Sequence, residues 1–142
     1  MPAKMTTWLL VGDGATAQFY AIHAIPLRLT KVPDGALKAT WQTTHGPEHA
    51  AESLHIAHVA SGHGVHQRHE NTFLEHVAAT LEAAAETGKF NHLIVVLPPK
   101  ALAHFRKIAG AATRAKIKQE IDSEWTHLAI PDIEKHLAAR LP

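Results

Sequence analysis

Cysteine is absent from the chain, and this absence removes several kinds of chemistry at once. Without thiols there can be no disulfide, no cysteine nucleophile and no cysteine-ligated zinc. Long apolar runs are missing too, since no stretch reaches the ~18 residues that cross a bilayer. Residues 1–11 lack the apolar segment and cleavage site of a secretory signal. We therefore predict a cytoplasmic protein without a membrane contact.

An excess of charge of one sign is also missing, whereas histidine is abundant. The chain has 14 Lys and Arg against 13 Asp and Glu, a net charge of +1 with neutral histidines. That balance predicts neither a strong overall field for nucleic acid nor an acidic tail. The 13 histidines make the net charge sensitive to mild acid. With 142 residues, 46% of them hydrophobic, residues 1–142 are predicted to form a single domain.

The N-terminal part of the sequence has the pattern of a β-meander. "TTWLLVG" and "ATAQFYAIH" are strand-like segments joined by the turn signal Gly12-Asp13-Gly14, which predicts an antiparallel hairpin. Beyond it, "PLRLTKV" and "ALKATWQ" flank a second turn signal at residues 33–35. One or both of these segments continue the meander.

From Glu70 onward, helical and extended patterns alternate. Phe73, Val77 and Leu81 lie on one face of a helix that starts at a capping box at Thr72 and stops at Gly88. "HLIVVLP" is predicted to be a central strand covered on both faces, and Pro99 begins the next helix. "RAKIKQEI" favours a strand, with a helix as a close rival, and "IPDIEKHLAARL" favours a terminal helix. The predicted fold is α/β, a mixed sheet with an N-terminal β-meander and helices packed on it.

Three segments carry a resemblance to a known family. "WLLVGDGATAQFY", "FLEHVAATLEAAAETGKFNHLIVVLPPKALAHFRK" and "IKQEIDSEWTHLAIPDIEKHL" resemble the start, core and ending of the bacterial host attachment protein family. The family is similar to the middle domain of archaeal and eukaryotic class 1 peptide-chain release factors, which is related to the ribonuclease H-like fold. The resemblance implies that fold. The family name implies attachment to host cells, whereas the release-factor likeness implies an intracellular role near the ribosome or RNA.

The stretch "SGHGVHQRHE" is the richest in candidate ligands. His63, His66 and His69 are three residues apart, and they are the candidates for a metal site with three protein ligands. The spacing does not match a His-Glu-x-x-His motif, and no acid has a defined role beside them. We therefore interpret the stretch as a mobile, histidine-rich polar loop and predict no cofactor, with metal binding as the minority hypothesis.

Signals for an enzyme are weak elsewhere in the chain. The Gly-Gly-Gln tip of release factors is absent, which argues against peptide release. A two-metal nuclease needs several carboxylates, but only Asp13 stands at the end of a predicted strand, and a turn before glycine accounts for it. Ser61 lacks a nucleophile-elbow motif.

We therefore predict a binding module rather than an enzyme. It contacts a protein or a ribosome/RNA partner through residues 43–70 and the adjacent basic helix, and the sequence leaves its oligomeric state open. A metal-dependent hydrolase or nuclease that uses Asp13 and the three histidines is the alternative, and attachment to host cells is a third reading. The predicted contact residues are Gly62, His63, Gly64, His66, Arg68, His69, Lys100, Arg106 and Lys107.

Overall fold

A five-stranded mixed sheet with helices on both faces forms the core of the structure. The structure is a computed structural model, and it describes residues 5–24, 26–39 and 62–140. Its strands are β1 (Thr7–Gly12), β2 (Thr16–His23), β3 (Arg28–Lys38), β4 (His92–Leu97) and β5 (Ile117–Asp122). Its helices are α1 (Gly62–Glu86), α2 (Pro99–Ile108), α3 (Ala111–Lys116) and α4 (Ile130–Arg140).

The sheet order is β3-β2-β1-β4-β5, so β1 lies at the centre. β1, β2 and β3 pair antiparallel as a meander, whereas β4 pairs parallel to β1 and β5 pairs parallel to β4. The first three strands therefore extend the sheet to one side of β1. After the crossover through α1, β4 and β5 extend it to the other side. The predicted α/β class, the mixed sheet and the N-terminal meander are confirmed.

The side chains of β1 point alternately to the two faces of the sheet, so this strand contributes to two hydrophobic cores. Trp8 and Leu10 face α1 and α2, together with Leu81 and Phe105, whereas Leu9 and Val11 face the opposite side. On that opposite side the core is closed by Trp125 and by Ile133 and Leu137 of α4. Because β1 and β4 are covered on both faces, their sequences are almost continuously apolar.

β3 differs from the two separate strands that the sequence allowed. It is one strand of 11 residues, and residues 32–35 lie opposite Phe19 alone, because the pairing passes from Tyr20↔Lys31 to Gln18↔Ala36. Asp34 has φ 59° in this bulge. The prediction of a turn-like backbone at residues 33–35 is therefore confirmed. The prediction that this turn separates two strands is wrong.

The helix α1 starts earlier than predicted. The sequence placed its first turn at Thr72, but the helix begins at Gly62, so Thr72 is an exposed mid-helix residue and not a cap. Gln67 donates a hydrogen bond to Asn71 at 2.9 Å, one helical turn ahead. The predicted end is confirmed, because Gly88 has φ 75° and the backbone N–H of Lys89 bonds the carbonyl of Ala84 at 2.9 Å.

The segment "RAKIKQEI" divides between two elements. Residues 114–116 complete the helix α3, and the strand β5 starts immediately after them at Ile117. The N–H of Ile117 closes the helix by bonding the carbonyl of Arg114. The strand prediction is confirmed from Ile117 onward and is wrong for the three residues before it.

Candidate functional site

The predicted loop of contact residues is helical where the structure describes it. Gly62–His69 form the first turns of α1, so the interpretation as a histidine-rich loop is wrong for this stretch. Arg68 is exposed and His69 is half-buried. The side chains of residues 62–66, which include His63 and His66, and all of residues 43–61 lie outside the described residues.

Asp13 holds the tight turn between β1 and β2. Its Oδ1 accepts hydrogen bonds from the N–H groups of Ala15 and Thr16, both at 2.8 Å. Its Oδ2 lies 3.4 Å from the hydroxyl of Thr126, which also bonds Glu124. This arrangement is that of an aspartate that stabilises a turn, the alternative that the sequence already offered.

Glu70 brings the start of α1 against the same turn. A Cβ atom added to Gly14 would collide with the carboxyl group of Glu70. Glycine at position 14 therefore leaves room for the side chain of Glu70 beside the turn. Across the described residues, no three His, Asp or Glu side chains are grouped so that they could hold a metal ion. The trio His63, His66 and His69 is not tested by that observation.

The basic residues of α2, α3 and β5 have two different roles. Arg106 Nε lies 2.8 Å from Glu120 Oε1, so this guanidinium is held against β5. Arg114 donates from Nη2 to the carbonyls of Arg106 and Lys107, at 2.7 and 3.3 Å, and so caps the C-terminus of α2. Both arginines stabilise the arrangement of α2 with its neighbours.

Lys100 and Lys107 remain exposed on α2, and neither makes an ion pair within the part of the chain that the structure describes. They are seven residues apart, so they lie on one face of the helix, about 10 Å apart along its axis. His104 is half-buried and its Nε2 has no hydrogen-bond partner in the described ranges. We call the following group the cationic surface: Lys100, Arg106, Lys107, Arg114, Lys116 and Lys118.

Glu82 of α1 connects this surface to the core, and no sequence motif indicated this role. Its carboxylate accepts the N–H of Ala112 at 3.1 Å, and the N–H and hydroxyl of Thr113 at 2.9 and 2.8 Å. The backbone and side-chain hydrogen bonds from Thr113 lower the pKa of Glu82. Glu82 therefore caps α3 from a position about 30 residues away in sequence, where no local motif could indicate it.

Most of the chain matches a known protein family. The sequence profile described as "Protein required for attachment to host cells" matches residues 8–137. The chain belongs to this host attachment family. Membership of the host attachment family supports a role related to attachment to host cells, without identifying what is bound. No curated protein sequence matches the chain.

The host attachment fold occurs in a solved structure of a translation factor. The archaeal translation termination factor aRF1 aligns with a TM-score of 0.50 and 11% sequence identity. The match covers 95% of this chain and 38% of the termination factor, so the chain spans well under half of that protein. At this identity the likeness concerns the fold alone, and it confirms the predicted release-factor-like architecture of the host attachment protein.

Two of the cavities that the described residues line lie apart from the predicted contact residues. A small one of about 160 Å³ is lined by Tyr20, Lys38 and Trp125, and burial raises the pKa of Tyr20. A larger cleft of about 830 Å³, which we call the Trp8 groove, lies between β3 and α1. Its lining residues are Trp8, Phe19, Val32, Pro33, Asp34, Gly35, Thr80, Ala83, Ala84, Thr87 and Lys89.

Helices of the described ranges remain short or polar. None of them combines the length and the hydropathy that a bilayer-spanning helix requires.

Proposed function

We propose that this host attachment protein is a non-enzymatic binding module that contacts a ribonucleoprotein partner through the cationic surface. The observation that carries the proposal is the distribution of charge. Residues 99–119 hold six of the 14 Lys and Arg and none of the 13 Asp and Glu, so this segment is +6 while the rest of the chain is −5. A polyanion such as the phosphate backbone of RNA complements a surface of this kind.

One ion pair and the hydrogen bonds of Arg114 distinguish two groups of residues within the surface. Arg106 and Arg114 are engaged with Glu120 and with the end of α2, so we assign them to holding the surface in shape. Lys100 and Lys107 are exposed without an anionic partner among the described residues. A flexible ammonium with three donors suits contacts to phosphates of variable position. We therefore assign these two lysines to phosphate contact.

The first turns of α1 lie near the same end of the sheet as Lys100. β1 and β4 are parallel neighbours, and Asp13 and Pro98 follow their carboxyl ends. Glu70 lies against Gly14 at this edge, and α2 starts there with Lys100 as its second residue. This proximity supports a partner that touches Arg68 and His69 together with Lys100, at the edge where open α/β sheets bind ligands.

The alternative function, a metal-dependent hydrolase or nuclease, needs Asp13 as a metal ligand. Both oxygens of its carboxylate already have neighbours that account for the residue: two backbone N–H groups and the hydroxyl of Thr126. No specific observation on the described residues favours this alternative. The fold of a translation termination factor is compatible with a partner from the translation machinery, and we carry over only that class of partner.

Binding of a fluorescent single-stranded RNA tests the proposal, followed by anisotropy between about 50 and 200 mM salt. The double variant Lys100→Ala/Lys107→Ala should weaken binding and reduce the slope of log affinity against log salt by about 1.4, at about 0.7 for each lost phosphate contact. The matched control is Lys31→Ala/Lys135→Ala, which removes two exposed lysines from β3 and α4.

Co-sedimentation with purified ribosomes extends the same comparison to a whole ribonucleoprotein. Loss of binding in the α2 variant but not in the control supports the proposal. Equal binding by both variants, or RNA affinity that does not change with salt, overturns it. Binding to a purified ribosomal protein, unaffected by removal of RNA, would indicate a protein partner instead.

A further inference from the structure

The Trp8 groove has the size and lining of a small-molecule site, and it lies outside the cationic surface. Its volume of about 830 Å³ falls within the ~300–1,000 Å³ of typical ligand pockets. Phe19 and Trp8 stack at 5.8 Å between ring centroids, and Phe90 supports Trp8 from a centroid distance of 5.0 Å. The groove therefore has a rigid aromatic floor.

Trp8 lines the groove, and its side chain carries one hydrogen-bond donor, the indole N–H. The side chain is only 7% exposed, yet within the described ranges its indole N–H has no acceptor. The indole nitrogen is also not among the side-chain atoms sealed from solvent without a partner. The nitrogen therefore reaches solvent, where either water or an acceptor of a ligand in the groove can take its hydrogen bond.

Lys89 lines the same groove and brings a positive charge to it. It is the residue before Phe90, whose ring packs on Trp8, and its ammonium makes no ion pair in the part of the chain that the structure describes. Both groups are donors without acceptor capacity. Together they favour an anionic oxygen at the Lys89 side of the groove.

The opposite wall determines how such a ligand lies. Asp34, on the bulge of β3, is exposed and negatively charged, so it repels an anionic group from that side. Between the two charges the lining is apolar, with Phe19 and Val32 from the sheet and Ala83 from α1. Small side chains on α1 leave room for an extended tail beside the helix.

We propose that the Trp8 groove binds a small amphiphile with one carboxylate head and an aliphatic tail. The carboxylate pairs with the ammonium of Lys89 and accepts the indole N–H of Trp8, and the tail covers Phe19, Val32 and Ala83. This site does not depend on the proposed ribonucleoprotein partner, because it shares no residue with the cationic surface.

Decanoate, used below its micelle concentration, is the probe, and the indole N–H resonance of Trp8 in a two-dimensional ¹H–¹⁵N NMR spectrum is the readout. The resonance is assigned by its loss in Trp8→Phe. We expect a saturable shift of the Trp8 signal, with the Trp125 signal unmoved because Trp125 lies on the opposite face of the sheet. Decanol, which has the same tail without the charge, should bind more weakly.

Two variants separate the head from the tail. Lys89→Gln should weaken decanoate binding by up to about fivefold, the upper end for one exposed ion pair, and leave decanol unchanged. Ala83→Trp should fill the groove and abolish binding of both; position 83 is exposed, so the fold tolerates it. Lys135→Gln on α4 is the control for net charge.

An unmoved Trp8 resonance in the folded wild-type protein overturns the proposal. Undiminished decanoate binding by Ala83→Trp also overturns it, because the ligand must then lie elsewhere. The proposed recognition of the carboxylate is overturned if Lys89→Gln and Lys135→Gln lose decanoate affinity equally. It is also overturned if the protein binds decanoate and decanol with equal affinity. Circular dichroism and the thermal midpoint of each variant establish that it is folded.

Discussion

Glu120→Gln is a sharp test of the roles assigned within the cationic surface. The substitution keeps the shape of the side chain and removes the charge that holds Arg106 at 2.8 Å. If Arg106 is restrained by this pair and lies beside the phosphate-binding lysines, then releasing it should improve binding of RNA. The same substitution removes a stabilising contact, so affinity and stability should move in opposite directions.

The magnitudes follow from the exposure of the pair. The side chains of Arg106 and Glu120 are 56% and 26% exposed, and ion pairs of this kind contribute about 0.2–1 kcal/mol. Unfolding free energy should therefore fall by no more than about 1 kcal/mol, a few degrees in thermal midpoint. One additional phosphate contact steepens the salt slope by about 0.7, and RNA affinity should rise about twofold to fivefold.

Two measurements on the same samples check this prediction: RNA anisotropy across the salt series and urea unfolding. Asp132→Asn is the control, because it removes one exposed acid from α4 on the opposite face of the sheet. If Asp132→Asn and Glu120→Gln raise RNA affinity equally, the change in net charge alone explains the effect. An unchanged salt slope in Glu120→Gln would refute the restraint of Arg106.

Two further predictions concern the contacts that position α1. Gly14→Ala should lower the thermal midpoint only slightly, because its Cβ meets the outer atoms of the flexible Glu70 side chain, which must turn away; in a Glu70→Ala background the same substitution should cost nothing, and an equal cost there would argue against that contact. Glu82→Gln should lower the urea midpoint near neutral pH. Because hydrogen bonds lower the pKa of Glu82 in the folded state, its stabilisation is present above about pH 4.3 and is lost as pH falls through the lowered folded value. A difference between wild type and Glu82→Gln that does not shrink as pH falls below about 4.3 would contradict this assignment.

The strands of the sheet could be predicted because a buried strand has a recognisable pattern of apolar residues. β1 and β4 are covered on both faces, and each is a run of apolar residues bounded by turn signals. Position 88 was also predictable, because a helix that ends with a left-handed residue selects glycine. Each of these features depends on residues that are close together in the chain, so it can be predicted from a single sequence.

Some features of the fold escaped prediction. The start of α1 was placed too late because Gly62 and Gly64, which have low helix propensity, lie within its first turn, and the sequence offers no cap there. The Pro-Asp-Gly signal in β3 describes a bulge as well as a turn, and pairing with β2 on both sides of Phe19 selects the bulge. In β3, tertiary contacts therefore override the local preference.

The candidate site shows the same division. Lys100 and Lys107 could be proposed from sequence because a surface lysine needs no partner, and Arg106 was included with them. Only the fold brings Arg106 to Glu120, 14 residues away, so the ion pair of this predicted contact residue could not be foreseen. The Trp8 groove was not predictable, since its floor, its two walls and its charges come from four separate segments.

The last turns of α1 serve both proposed surfaces, but through different faces of the helix. Glu82 points its carboxylate at the start of α3 and so supports the cationic surface, whereas the neighbouring Ala83 is exposed and lines the Trp8 groove. Successive residues on a helix are rotated by about 100°, so one can be changed without displacing the other. Ala83→Trp should therefore leave RNA binding intact, and Lys100→Ala/Lys107→Ala should leave decanoate binding intact. If either variant impaired both, then α1 would couple the two surfaces instead of separating them.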